Sequence, residues 1–256
     1  MRVLGIIPSK YENTRFPGKG LADLCGKSVL YRVWESARCA AALDHVVVAT
    51  PDMRTSDHVH AFYGQAIVAL TALGHRNGTE CCREAADLYA LADNDVVINI
   101  QGDEPFIQPS QINRLVGRFR DPTVEIATLV TPVQTSEELW SENTAKVILD
   151  LPDQQKILYF SRWPIPYCIG LPHEKWLNAY ANLIYYRHIG VYGYRMGTLR
   201  KIVALSPNPL SRAESLEQLR WLQHGYPIHA VMTENHGVAI DSPEDLEKAR
   251  EKWNST

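Results

Sequence analysis

Apolar positions in the first 120 residues fall into two alternating kinds of segment. Near-continuous apolar runs occur in "RVLGIIP" (2–8), "HVVVAT" (45–50), "AIVAL" (66–70) and the first half of "DVVINIQGDEP" (95–105). Runs of that length and continuity predict strands buried on both faces. Between them, "SVLYRVWESARCA" (28–40) and "TECCREAADLYAL" (79–91) carry apolar residues at helical spacing, as does "PSQINRLVGRF" (109–119). Thr79 is placed to cap the second helix, and Pro109 with Ser110 opens the third. Strands alternating with helices predict parallel βαβ units.

The pattern changes in the second half. "EIATLVTPV" (125–133), "TAKVILD" (144–150), "KILYFSR" (156–162), "YYRHIGVYGYR" (185–195) and "IHAVMTE" (228–234) read as strands. "SRAESLEQLRWLQHG" (211–225) reads as one amphipathic helix, and "SPEDLEKAREKW" (242–253) as a helix capped by Ser242 with Glu244 and Asp245 in its first turn. The aromatic and proline-rich "WPIPYCIGLPHEKW" (163–176) fits neither period and predicts an excursion from the sheet. The expected architecture is one α/β domain over 1–256, a mixed but mostly parallel sheet flanked by helices, with 155–200 forming a small lobe beside the functional cleft.

Composition narrows the function classes. With 26 basic and 29 acidic residues and a formal charge of −3, the chain has no basic patch for nucleic acid. No apolar stretch approaches the roughly 18 residues of a membrane span, and the N-terminal run before Pro8 is too short for a secretory segment. Cys25, Cys39, Cys81, Cys82 and Cys168 are odd in number and lack metal-site spacing, so reduced thiols in a cytoplasmic protein are expected.

Three places stand out chemically. The loop after the first strand, "SKYENTRFPGKG" (9–20), holds Lys10, Arg15 and Lys19 among Pro17, Gly18 and Gly20. Glycines let backbone N–H groups approach an anion, and loops at the carboxyl ends of parallel strands are where ligands bind. The loop matches neither GxxxxGK[ST] nor GxGxxG, so an anion site and a solvated loop both remain open. In "NIQGDEPFI" (99–107), Asp103 and Glu104 follow a very apolar strand, where a carboxylate is costly unless it meets a cation. Asp241 in "GVAIDSPEDLEKA" (237–249) sits in the same way between a strand and a helix. Each acid alone suits a turn; together with the cationic loop they suit a polyphosphate with Mg²⁺, which takes one or two carboxylates plus phosphates.

The ordered pieces "IIPSKYENTRFPGKGLADLCGKS", "NGTE", "NIQGDEPFI", "TAKVILD", "YFSR", "RHIGVYGY", "ESLEQLRWL" and "IDSPEDLEKA" resemble the CMP-Kdo synthetases (3-deoxy-manno-octulosonate cytidylyltransferases) from Val3 to Arg250. The resemblance implies a Rossmann-like fold of the nucleotide-diphospho-sugar transferase type and a homodimer that couples CTP to an eight-carbon keto-sugar acid. It implies Lys10, Arg15 and Lys19 on the CTP phosphates, and Asn77, Gly78, Thr79 and Gln101 around base and sugar. Asp103 and Asp241 would hold catalytic Mg²⁺, with Lys19 also catalytic. Gln101, Ser161, Arg162, Arg187, His188, Tyr192, Glu214 and Gln218 would shape the acceptor side.

Departures from the family pattern fall in both halves. Lys10 stands where an arginine is usual, which keeps charge but loses the planar fork. Cys81 also stands where an arginine is usual, and Arg76 or Arg83 is expected to compensate. Trp163 and Pro164 follow "YFSR" beside the acceptor. An amino-substituted octulosonate or a phosphonate is therefore an alternative acceptor, and a nucleotide-binding protein without turnover is the alternative of a different class.

Overall fold

β1 (Val3–Pro8) sends Leu4 and Ile6 into a core on one face of the sheet and Val3 and Ile7 into a second core on the other. In the computed structural model, which describes residues 1–150, 155–180, 183–234 and 237–255, these two cores sandwich one sheet. After a 3-10 turn at Lys19–Leu21, a two-residue ribbon pairs β2 (Asp23–Leu24) with β3 (Lys27–Ser28). The chain continues through α1 (Val29–Arg38), β4 (His45–Thr50), α2 (Met53–Phe62), β5 (Ile67–Leu70), α3 (Gly78–Asp87), β6 (Val96–Asn99), α4 (Pro109–Arg118) and β7 (Ile126–Pro132). Then come α5 (Ser136–Trp140), β8 (Lys146–Leu149), β9 (Ile157–Ser161), β10 (Tyr186–Arg195), α6 (Met196–Val203), α7 (Pro209–Ala213), α8 (Gln218–Gln223), β11 (Ile228–Met232) and α9 (Pro243–Asn254).

The sheet runs β11-β7-β10-β6-β1-β4-β5, with β8 joined to β10 and β9 joined to β8. β6, β1, β4 and β5 are mutually parallel, as are β7 and β11. β10 is antiparallel to β6, β7 and β8, so the sheet is mixed as expected. A register shift in β10 between Ile189 and Tyr192 lets its first half leave β6 and pair with β8.

Several local expectations need correction. Asn77, not Thr79, caps α3, because its side chain accepts from the Glu80 N–H and the helix already begins at Gly78. The helix expected over 211–225 is two helices, α7 and α8, with Ser215 at φ 53 between them. The helical spacing survives the break because Leu216, Leu219 and Trp221 all enter the same core. α2 has a polar sequence without an apolar stripe and was not predicted; Asp52 caps it by accepting from the Thr55 N–H. The stretch 155–200, expected as a lobe of the one domain, contains β9 near its start and β10 near its end, and both belong to the sheet. The excursion is confined to the segment between those strands, of which residues 181–182 lie outside the described residues. There Trp176 is buried and packs against Trp140 of α5.

Candidate active site

The carboxyl ends of β1, β4 and β6 open into a cleft of about 770 Å³. Its walls include Pro8, Lys10 and Tyr11 from the first loop, Arg54 from α2, Gly78 and Cys81 from α3, and Gln101 and Asp103 after β6. The first loop is folded tightly back on itself. Gly18 donates to the Tyr11 carbonyl at 2.7 Å and has φ 73, and a Cβ there would lie 3.0 Å from the Tyr11 ring. Tyr11 N–H in turn donates to Asp52 Oδ2 at 2.9 Å, fixing the loop to the start of α2.

This folding delivers Lys19 to two carboxylates from opposite ends of the chain. Its Nζ lies 2.5 Å from Asp103 Oδ2 and 2.8 Å from Asp241 Oδ1. Asp241 is brought there by the Ile240 N–H, which donates to the Asp103 carbonyl at 2.9 Å, and by the capping box of Ser242 and Asp245. Arg15 closes the cluster at 3.0 Å from Asp241 Oδ2. Burial alone would lower the Lys19 pKa, but the charges and hydrogen bonds of Asp103 and Asp241 outweigh it and hold it above the ordinary value. Burial likewise opposes ionisation of Asp241, and Lys19 and Arg15 outweigh it to hold that pKa low. Beside them, burial and the charges of Asp103 and Asp241 push Glu104 up to about 7, with Arg187 opposing.

Among the nucleotide-side residues, the structure brings Lys10, Lys19, Asn77, Gly78 and Gln101 to the cleft. Gly78 gives close packing: a Cβ would lie 3.1 Å from Pro8 and 3.5 Å from Gln101 Nε2. Gln101 also donates to Asn99 Oδ1 at 3.1 Å. Thr79 turns away, fully buried, and donates to Glu217 Oε1 at 2.6 Å. Neither Arg76 nor Arg83 lines the cleft beside Cys81. Arg76 pairs with Glu80, and Arg83 pairs with Asp87 at 2.6 Å.

The acceptor-side residues gather around the β8–β10 end of the sheet but are heavily engaged. Ser161 donates to Glu214 Oε1 at 2.7 Å, and Arg162 N–H donates to Glu214 Oε2 at 2.8 Å. The Arg162 guanidinium donates to the carbonyls of Glu142, Glu214 and Ser215 at 2.7, 2.6 and 3.3 Å. It thereby clasps the left-handed turn between α7 and α8 and leaves little of its fork for a ligand carboxylate. Arg187 Nε lies 2.5 Å from Glu138 Oε1, and its Nη2 donates to the Gly237 carbonyl at 3.4 Å. His188 Nε2 is 3.0 Å from Thr128 Oγ1, and the ring packs between Phe160 and Tyr192. Burial, with Arg187 adding to it, pushes the His188 pKa down to about 3, so the imidazole is neutral at physiological pH. Tyr192 and Gln218 are buried, and burial raises the Tyr192 pKa well above the ordinary value.

Two charged groups escaped the sequence reading. Glu217 bridges Thr79 and Arg220, the latter at 3.4 Å; it stands beside Gln218 in the same motif, and the single-helix reading gave no reason for it to turn inward. Lys146 is fully buried, donates to the Ser141 and Thr144 carbonyls at 2.8 and 2.5 Å, and has its pKa lowered to about 8 by burial, with Arg162 adding to it.

Residues 4–232 match the cytidylyltransferase family model. The chain is 45% identical over 253 residues to a 3-deoxy-manno-octulosonate cytidylyltransferase of Parabacteroides distasonis, covering 97% of each chain. It is 46% identical over 254 residues to the protein of that name from Bacteroides thetaiotaomicron, covering 98% of each. A solved CMP:2-keto-3-deoxy-manno-octonic acid synthetase in complex with CTP superposes with a TM-score of 0.87 at 34% identity, covering 100% of this chain and 99% of that one. A Leptospira borgpetersenii cytidylyltransferase, 14% identical with a TM-score of 0.61 over 100% of this chain and 88% of its own, shares the fold. The chain belongs to the cytidylyltransferase family.

Proposed function

We propose that the protein transfers the cytidylyl group of CTP to 3-deoxy-manno-octulosonate, releasing pyrophosphate and forming the CMP-sugar acid. The carrying observation is the convergence of Asp103 and Asp241 on one cation at the mouth of a cleft lined by Lys10 and Gln101. The names of the relatives and of the CTP-bound neighbour supply the acceptor and the nucleotide. In this reading the anomeric hydroxyl attacks the α-phosphorus in line, the bond from that phosphorus to the α,β-bridging oxygen breaks to release pyrophosphate, and the hydroxyl proton leaves to solvent.

The two carboxylates fit a magnesium ion, because they already clamp one positive charge from two sides and phosphate oxygens would complete the shell. Bound there, Mg²⁺ would supply Lewis acidity at the transferring phosphoryl group. Lys10 and Lys19 bind phosphate oxygens, each charge-assisted hydrogen bond contributing roughly 1.5–3 kcal/mol. Gln101, flanked by Gly78 on one side and Gly190 on the other, divides nucleotide from acceptor. Neutral His188 orients an acceptor hydroxyl without adding charge, and Arg187, held by Glu138, faces the acceptor carboxylate.

The partner in solution is a second copy of the chain. Trp163, Tyr167, Ile169 and Ile184 are each at least half exposed in or beside the excursion, an apolar set suited to an isologous contact. Light scattering giving a monomer mass would remove that assignment. We place the protein in the cytoplasm, where its five unbonded thiols stay reduced; recovery from a periplasmic fraction would contradict this. The function itself is tested by pyrophosphate release with Mg²⁺, each nucleoside triphosphate, and 3-deoxy-manno-octulosonate, its 8-amino analogue or a phosphonate. Release with CTP and the octulosonate supports the proposal. Release only with another acid corrects the acceptor, and CTP binding without release from any pair favours the non-catalytic alternative.

A further inference from the structure

The cleft needs positive charge that its first loop does not freely provide. Of the three loop cations, Lys19 is bound to Asp103 and Asp241, and Arg15 to Asp241. Only Lys10 lines the cleft without an ion pair or hydrogen bond among the described residues. A nucleoside triphosphate brings three phosphate groups to that wall.

Arg54 faces the same cleft from the first turn of α2. Its guanidinium carbon stands 4.9 Å from the centroid of the Tyr11 ring. It has neither an ion pair nor a hydrogen bond among the described residues, so the ring face attracts the cation while its N–H groups stay free to donate. Both members of the stack are themselves positioned. Tyr11 is fixed by its N–H bond to Asp52 Oδ2 and by the close approach of Gly18, and α2 is fixed by the Asp52 cap. The acids on this wall do not compete strongly: Asp52 is engaged as cap and loop anchor, and Glu12 is exposed. A guanidinium already held against an aromatic ring loses less freedom on meeting an oxyanion than a free one.

We infer that Arg54, stacked on Tyr11, is a further nucleotide-binding residue that contacts the β- and γ-phosphate oxygens of the bound triphosphate. The assignment rests on the cytidylyltransferase reading of the cleft and adds to it a contact outside the first loop. It also supplies the cation that Arg76 and Arg83, turned to Glu80 and Asp87, do not bring to the Cys81 side of the cleft.

Calorimetric titration of CTP, CDP and CMP into the wild type, Arg54→Gln and Arg54→Lys tests this. Arg54→Gln is expected to weaken CTP about tenfold, about 1.4 kcal/mol, with CMP changed by less than about twofold and CDP between them. Arg54→Lys should recover part of the CTP loss. Equal weakening of CTP and CMP would mean that Arg54 only pins the Tyr11 loop, and no change in either would mean that it touches no ligand; both results overturn the assignment. Failure of the underlying reading appears elsewhere, as a wild-type protein that binds none of the three nucleotides.

Discussion

Replacing Lys19 with methionine tests the central cluster. The perturbation keeps most of the side-chain volume and removes one ammonium that serves two carboxylates. At 2.8 Å and an effective dielectric of about 20, each pair is worth about 6 kcal/mol of gross attraction. The net value of such a charged hydrogen bond is roughly 1.5–3 kcal/mol, because burying the ammonium costs hydration. With Lys19 only 14% exposed and Asp241 32% exposed, the lower part of that range applies to each bond. The two bonds share one ammonium, so their values do not add in full, and a net loss of about 2 kcal/mol is expected, or roughly 4–8 °C in Tm for a chain of this size. The pH dependence gives a second reading. The raised Lys19 pKa means that its contribution is complete below the ordinary lysine value and is lost as pH rises through the folded value. The lowered Asp241 pKa means that its contribution is present above the ordinary carboxylate value and is lost as pH falls through the folded one. The stability gap between wild type and Lys19→Met, followed by thermal melts, should therefore be widest between about pH 5 and 10 and narrow on both sides. Mg²⁺ without nucleotide should raise the Tm of Lys19→Met more than that of the wild type, since the ammonium competes for the same oxygens. Equal Tm values, or a gap indifferent to pH, would refute the reasoning.

Other expectations follow from the same geometry. Asp103→Asn should lower kcat by at least about a hundredfold while near-ultraviolet circular dichroism stays native, since charge at the transferring phosphoryl group is lost with little change in packing; near-wild-type turnover would remove Asp103 from the metal site. Arg187→Ala should raise KM for the acceptor acid roughly tenfold with KM for CTP within about twofold, and initial-rate kinetics showing mainly a CTP-side defect would place Arg187 elsewhere.

The meeting of the residues expected on the nucleotide side was legible because they lie on loops that directly follow buried strands. Lys10 and Lys19 after β1, and Gln101 and Asp103 after β6, sit at the carboxyl ends of adjacent parallel strands, so their neighbourhood follows from βαβ order. Asp241 was expected to follow a strand, but residues 237–240 form none; the Ile240 N–H bond to the Asp103 carbonyl, not a strand end, brings it to Lys19, 222 residues away. What could not be read was how each cation is engaged. Sequence places Arg162 beside the acceptor, yet its guanidinium collects three backbone carbonyls of turns 20 and more residues away. The split of the 211–225 helix was hidden because the apolar period continues through it, and the strained Ser215 turn depends on that remote clasp. β10 was legible as a strand but not as the central antiparallel one, which is a property of pairing and not of composition.

Thr79 shows why motif position and side-chain role separate here. It lies in the nucleotide-side segment, and its hydroxyl is committed to Glu217, 138 residues away, next to the acceptor-side Gln218. Glu217 is in turn carried by the short segment between Ser215, clasped by Arg162, and the start of α8. A single chain of contacts thus runs from the acceptor-side strand β9, through Glu214 and Ser215, to the first turn of α3 and the wall of the nucleotide cleft. Because the Thr79 hydroxyl at its end is fully buried and donates to the partly buried Glu217 carboxylate, neither half can shift without leaving a buried polar group short of a partner. The two half-sites are therefore held at a fixed separation by this buried contact as well as by the sheet. A reaction in which an acceptor oxygen must meet phosphorus in line depends on such spacing, since misplacement by about 1 Å is enough to cost two orders of magnitude in rate.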